Sequence, residues 1–168
     1  MGKAYLSLGS NLDAATHLRG AIAALRERFG EVVLSPVYRT RAVGFDGADF
    51  YNSAAIVDSE LEPQALNDWL HALEDRHGRD RSGPRYSDRT LDIDLVLYDD
   101  RVLEGPGNLR IPRPELKHAF VLRPLADIAP ELVVPGDGRS LGELWRAHPD
   151  YAQPAVVADI GEGSDAPA

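Results

Sequence analysis

Leu91, Ile93, Leu95 and Leu97 alternate with Asp92 and Asp94, and this period-two run constrains the chain more than any other stretch. It fits a half-buried strand, on which both carboxylates project from one face, one pair of pleats apart. Two acids that close repel each other unless a cation or a proton sits between them. Hard oxygen ligands on a rigid strand suit Mg²⁺, which takes one or two carboxylates and completes its shell with substrate phosphates and water. Arg79, Arg81, Arg85 and Arg89 precede the strand, and guanidinium forks suit bidentate recognition of phosphate. Metal ligands beside phosphate clamps point to phosphoryl chemistry on a nucleotide. Taken singly, each feature has a plainer reading: an Asp-x-Asp strand is as often the solvated face of an amphipathic sheet, and an arginine-rich loop is as often simply solvated. Their occurrence together favours a site.

Composition narrows the partners. A length of 168 residues fits one domain with a real core. The absence of cysteine excludes disulfides, thiolate metal sites and cysteine nucleophiles. A net charge of −9 argues against a general nucleic-acid surface, which needs a basic footprint. A nucleotide is not excluded, since an anion site needs only its own neighbourhood to be positive. No apolar run approaches the length of a membrane span, and residues 1–5 lead directly into strand-like sequence. The expected location is the cytoplasm.

The order of elements follows from periodicity and punctuation. Residues 3–8 read as a strand ended by Gly9-Ser10-Asn11. Asp13 or Asn11 can cap a helix carrying Leu18, Ile22, Leu25 and Phe29, which Gly30 ends. A strand over 31–38 follows, then a glycine-containing irregular stretch over 40–49 of the kind that can cover a site. A third strand is expected over 50–58. Pro63 then opens a helix with Leu66, Trp69, Leu70 and Leu73 on its apolar stripe, closed by Gly78. With the Asp92/Asp94 strand this makes strand, helix, strand, strand, helix, strand. That is an α+β, ferredoxin-like βαββαβ core, an antiparallel sheet with helices packed on one face. A C-terminal extension adds the stiff Pro112-Arg113-Pro114 segment, a short strand or helix over 120–128 and a short helix over 141–145. One domain is expected over 1–153, with a disordered tail over 154–168.

Six pieces in order carry a family likeness: Leu8-Gly9-Ser10-Asn11-Leu12, Tyr38-Arg39-Thr40, Phe50-Tyr51-Asn52-Ser53-Ala54, the stretch 74–79, Arg89-Thr90-Leu91-Asp92-Ile93-Asp94, and Phe120-Val121-Leu122-Arg123-Pro124-Leu125. On these the chain resembles hydroxymethyl-dihydropterin pyrophosphokinases, enzymes of folate synthesis. The resemblance implies a Mg²⁺-dependent transfer of pyrophosphate from ATP to the hydroxymethyl group of a reduced pterin, with two Mg²⁺ ions and AMP as nucleotide product. It places both metals at Asp92 and Asp94 and the catalytic phosphate arginines at Arg79, Arg81 and Arg89, with Arg81 and Arg85 on a closing loop. ATP contacts are implied at His71, Glu74, Arg81, Arg85, Arg89, Leu95, Arg110 and Arg113. For the pterin it implies Asn52 at the edge of the ring, Thr40 and Val43 completing that edge, and Phe50, Tyr86 and Phe120 as aromatic contacts. Phe50 and Phe120 also read as core, and His71 as part of a solvated helix face. The buried amide of Asn52 is harder to explain away, because it needs partners. The family likeness further implies a monomer.

The chain departs from the family pattern in places. Arg113 stands where a histidine is usual, Lys117-His118 where an arginine is common, and the stretch before Phe120 is one residue short. Asp88 adjoins Arg89 and can pair with it, and Arg41-Ala42 replaces a proline-rich pair. These differences leave two rival readings: a divergent paralogue that senses a pterin or nucleotide or acts on a modified pterin, and an RNA-binding domain of the same fold. The acidic balance and the lack of aromatic-rich central strands count against the second.

Overall fold

The computed structural model describes residues 1–40, 49–78 and 90–161. Strand β1, Gly2–Ser10, leads into helix α1, Ala14–Phe29. Asp13 is the residue before the helix, but it adopts a left-handed backbone with φ 49° and its side chain makes no cap hydrogen bond. At the other end Gly30 terminates α1 with φ 83°, its N–H donating to Arg26 O.

The expected strand over 31–38 is two short strands, β2, Val32–Leu34, and β3, Val37–Thr40. Pro36 has no N–H to give a ladder. Ser35 bridges the break: its N–H donates to Ala54 O at 2.9 Å, and its Oγ accepts from Ala54 N at 2.7 Å. Strand β4, Phe50–Ser59, pairs with both pieces, and helix α2, Pro63–Arg76, follows with proline in its first turn. Strand β5 spans Asp92–Tyr98.

All the pairings are antiparallel, and the path β5-β1-β4-β3 is the ferredoxin-like order expected from the sequence. Helices α1 and α2 cover one face through Leu18, Ile22, Leu25, Leu66, Leu70 and Leu73, packed on Leu6, Leu8, Val57, Ile93 and Leu95. The rings of Phe29 and Trp69 meet edge to face between the two helices at 5.1 Å.

The extension covers part of the opposite face. A small hairpin of β6, Leu103–Glu104, and β7, Arg110–Ile111, leads through a 3-10 turn at Pro114–Lys117 into helix α3, Ala119–Ile128. The segment over 120–128, left open between strand and helix, is thus helical. Helix α4, Leu141–Arg146, starts with a reciprocal Ser140/Glu143 capping box. Val121, Leu122, Leu125, Leu141 and Trp145 pack on Tyr5, Ala54, Ile56 and Val96. Tyr38 on β3 donates its hydroxyl to Asp127 of α3, and Arg123 lies over the rings of both Tyr38 and Trp145.

The tail differs from its expected disorder as far as residue 161. Strand β8, Val156–Ala158, adds to the sheet beside β3, and Ile160 is buried in the core with its carbonyl accepting from Arg19. The segment gains ladder hydrogen bonds at an open strand edge and buries Ile160 just beyond it, although Val156 and Val157 themselves stay exposed. Residues 162–168 lie outside the described residues. Among the described residues, no helix is long and apolar enough to cross a membrane.

Candidate active site

Residues directly opposite one another in a ladder point to the same face of a sheet. Gly9 on β1 pairs with Asp92 on β5 and with Asn52 on β4, and Asn52 pairs in turn with Tyr38 on β3. One row of the sheet therefore reads Asp92, Gly9, Asn52, Tyr38. The next row toward the helix-covered half carries Asp94, Ser7 and Ala54, and Phe50 pairs with Thr40 beyond Asn52. All these side chains share the face on which α3 and α4 pack, at the other end from Tyr5, Ile56 and Val96. The site is thus the half of that face beyond the start of α3.

Asp92 and Asp94 are half-buried, while Ile93 and Leu95 between and after them are fully buried on the opposite face. The period-two reading of this strand holds. The side chain of Leu95 lies wholly in the core beneath the sheet, 0% exposed, which leaves its backbone for the expected nucleotide contact.

Glu74 also has a different place from the one its sequence context suggests. It is buried on α2, and its Oε2 accepts the backbone N–H of Ile93 at 2.9 Å. Among the described residues β5 is an edge strand, so that N–H meets no neighbouring strand there. The carboxylate holds the strand from outside, at the residue between the two aspartates. His71 lies one turn earlier on α2 and is half-buried.

Arg113 meets one member of the acidic pair, Asp94. Its Nη2 lies 3.4 Å from Asp94 Oδ1 and its Nε 3.3 Å from Glu115 Oε2, while Nη1 donates to Asn108 O at 3.2 Å. Arg110 is turned outward, exposed and paired with Glu104 at 3.2 Å.

Asn52 is 5% exposed, and its Nδ2 donates to Thr40 Oγ1 at 2.9 Å. The hydroxyl thereby fixes the amide from the neighbouring strand. Gly9 supplies the other constraint, one that reading the sequence as a loop motif missed: a Cβ built there would stand 2.8 Å from Asn52 Oδ1. A glycine ending a strand and followed by polar residues was the available signal, but its partner on β4, three strands on in sequence order, was not visible. Phe50 is half-buried at the start of β4. Phe120 is half-buried in the first turn of α3, and His118 stacks on it with ring centroids 5.1 Å apart and planes 8° apart. That second aromatic ring was also missed, hidden in a stretch whose spacing departs from the family pattern.

Arg79, Arg81, Arg85, Tyr86, Arg89 and Val43 lie outside the described residues. Among the described residues, no group of three or more His, Cys, Asp or Glu side chains is placed to hold a metal. The acidic donors this face offers are the two carboxylates of Asp92 and Asp94. This donor set fits a cation that draws its other ligands from phosphate and water, as Mg²⁺ does.

Comparison with known proteins agrees with this geometry. The family model described as 7,8-dihydro-6-hydroxymethylpterin-pyrophosphokinase (HPPK) matches residues 5–130. A 2-amino-4-hydroxy-6-hydroxymethyldihydropteridine pyrophosphokinase from Pseudomonas aeruginosa is 40% identical over 153 residues, covering 88% of this chain and 92% of the relative. One of the same name from Synechocystis is 39% identical over 145 residues, covering 84% and 73%. Among solved structures, wild-type Plasmodium falciparum HPPK-DHPS with SDX-DHP superposes with a TM-score of 0.66 at 16% identity, over 87% of this chain and 43% of that one. A triple mutant of the same protein gives 0.69 at 14% identity. At such identities the structural likeness speaks for the fold alone, and this chain spans less than half the length of those two-part proteins.

Proposed function

The chain belongs to the 7,8-dihydro-6-hydroxymethylpterin-pyrophosphokinase family, and we propose that it transfers the pyrophosphoryl group of ATP to the hydroxymethyl group of 6-hydroxymethyl-7,8-dihydropterin, releasing AMP, in folate biosynthesis. The observation that carries this reading is the row Asp92, Gly9, Asn52 across three adjacent strands. Strand spacing puts the backbones of Asp92 and Asn52 about 10 Å apart, with only a glycine between them. A flat bicyclic ring with its amide-like edge on Asn52 spans much of that gap and directs a hydroxymethyl substituent toward the carboxylates. Phe120 and Phe50 border the same face and offer apolar contact to the ring.

Each residue has a physical task in this proposal. Asn52, held by Thr40, presents an amide to the donor and acceptor edge of the pterin. Asp92 and Asp94 would hold two Mg²⁺ ions, which when bound neutralise charge on the triphosphate and help orient the attacking hydroxyl. No protein nucleophile is required, because phosphoryl-type transfer depends mainly on positioning and charge stabilisation. Arg79, Arg81, Arg85 and Arg89 are proposed to grip phosphate oxygens, with His71 and Arg110 nearer the nucleotide's rim. Glu74 is assigned a positioning role through Ile93. ATP and the reduced pterin are the proposed partners, and a cytoplasmic monomer the proposed form. The sensor reading is not favoured, since relatives bearing the pyrophosphokinase name match most of the chain.

The direct test of the site is Asp92→Asn. The variant should keep its far-ultraviolet circular dichroism and lose AMP formation by roughly a thousandfold, on the scale of removing an essential electrostatic group from a transfer site. A folded D92N enzyme with ordinary turnover would refute the assignment.

A further inference from the structure

Arg113 occupies an unusual position for a phosphate-binding residue, because its charge is already engaged with a carboxylate assigned to the metals. Its main chain is fixed to β5, with its N–H donating to Val96 O at 3.0 Å, two residues beyond Asp94. Its side chain is 11% exposed and reaches back along the strand to Asp94. The guanidinium is charged at any physiological pH. It therefore offsets part of the negative charge of the acids on this face.

The contacts are loose for charge-assisted pairs. Well-made ones between a guanidinium and a carboxylate close to about 2.7–2.9 Å, whereas Arg113 stands 3.4 Å from Asp94 and 3.3 Å from Glu115. Its Nε is buried and makes no aligned hydrogen bond. A long side chain with a firmly held backbone, two slack ion pairs and an unsatisfied donor can be re-aimed at small cost.

We infer that Arg113 is a built-in counter-cation for Asp94, one that opposes a divalent cation arriving alone and turns to a phosphate oxygen when the cation arrives with a triphosphate. This rests on the reading of Asp92 and Asp94 as the metal ligands. The chain's own residues supply the coupling. While Arg113 faces Asp94, a second positive charge at the pair is repelled. Once a triphosphate lies alongside, the guanidinium gains a better anionic partner and Asp94 is released. Cation and triphosphate then favour each other's binding by the same factor, as linkage requires. The arginine found where the family usually has histidine thus sets the order in which the site fills.

The test uses Mn²⁺ as probe, read by electron paramagnetic resonance of the free ion, with and without α,β-methylene-ATP, on the wild-type chain and on Arg113→Gln. Removing a full charge a few ångströms from the cation should tighten Mn²⁺ binding in the absence of nucleotide by about tenfold. It should weaken binding of the ATP analogue at saturating Mn²⁺ and flatten the dependence of one on the other. Arg113→Lys, which keeps the charge, should stay near wild type for Mn²⁺ alone. Arg113→His at about pH 8, where an imidazole is neutral, repeats the charge removal should the glutamine variant not fold. Mn²⁺ affinity in the neutral variants equal to or below wild type would overturn the inference while leaving the metal site standing. No Mn²⁺ binding by the wild-type chain, with or without the analogue, would overturn both.

Discussion

Glu74 on α2 accepts a hydrogen bond from the backbone N–H of Ile93 at 2.9 Å, so a helix-borne carboxylate grips the edge strand midway between Asp92 and Asp94. Among the described residues the sheet holds β5 from one side, through β1. On its other side Glu74 and the backbone of Arg113 take the place of a neighbouring strand. The acids are thereby presented on backbone fixed from both sides, which is what a site working by positioning requires.

Glu74→Leu should consequently cost about 2 kcal/mol of stability, the range for removing a charged partner from a buried donor. Glu74→Gln keeps an acceptor and should lose less. Urea unfolding of the two variants measures this. A leucine variant as stable as wild type would mean that Ile93 finds another acceptor and that Glu74 does not hold the strand.

Gly9→Ala tests the floor of the proposed pterin site. The new Cβ stands 2.8 Å from Asn52 Oδ1, closer than such contacts allow, so the amide must turn away from Thr40. Affinity for the reduced pterin, followed by its fluorescence, should fall about tenfold, the worth of a displaced hydrogen-bonding group. Affinity for the ATP analogue should stay close to wild type. Equal loss of both ligands would point to general disturbance of β1.

Much of this arrangement was open to inspection in the sequence, and the reasons it stops are physical. The alternation around Asp92 and Asp94 needs only the two-residue repeat of a strand, and it also explains why Leu95 faces the core. The pairing of Asp92 with Asn52 across Gly9 needs the strand order, which a ferredoxin-like reading supplies but individual motifs do not. Glu74 and Ile93 meet only because α2 packs beside an edge strand, and nothing local to either residue signals it. The break at Ser35-Pro36 was readable from the missing proline N–H, yet the run Val32, Val33, Leu34 and Val37 masked it as one strand. For the tail, composition pointed to disorder while two consecutive valines found an open edge.

Stability should also fall on mild acidification, through His77. His17 on α1 and His77 at the end of α2 share a hydrogen bond, Nδ1 to Nδ1 at 2.8 Å, in space left by Gly20. Burial first, then the neighbouring His17 and Arg76, holds the His77 imidazole below its ordinary value of 6.5. The unfolded chain therefore binds its proton more readily than the folded one. The contribution of His77 to stability is full above pH 6.5 and is lost as pH falls from there toward the folded value. Urea midpoints measured from about pH 7.5 down to about pH 5 should drop in the wild-type chain. They should drop less in His77→Asn, and matching slopes would remove His77 from the account.

The central claim, that this face of the sheet carries pyrophosphoryl transfer to a pterin alcohol, is tested most directly by identifying the nucleotide product. The purified chain, ATP, Mg²⁺ and 6-hydroxymethyl-7,8-dihydropterin should yield AMP only when the pterin is present, with a diphosphorylated pterin formed in equal amount. ADP as the product, or no pterin-dependent turnover by the folded chain, would contradict it.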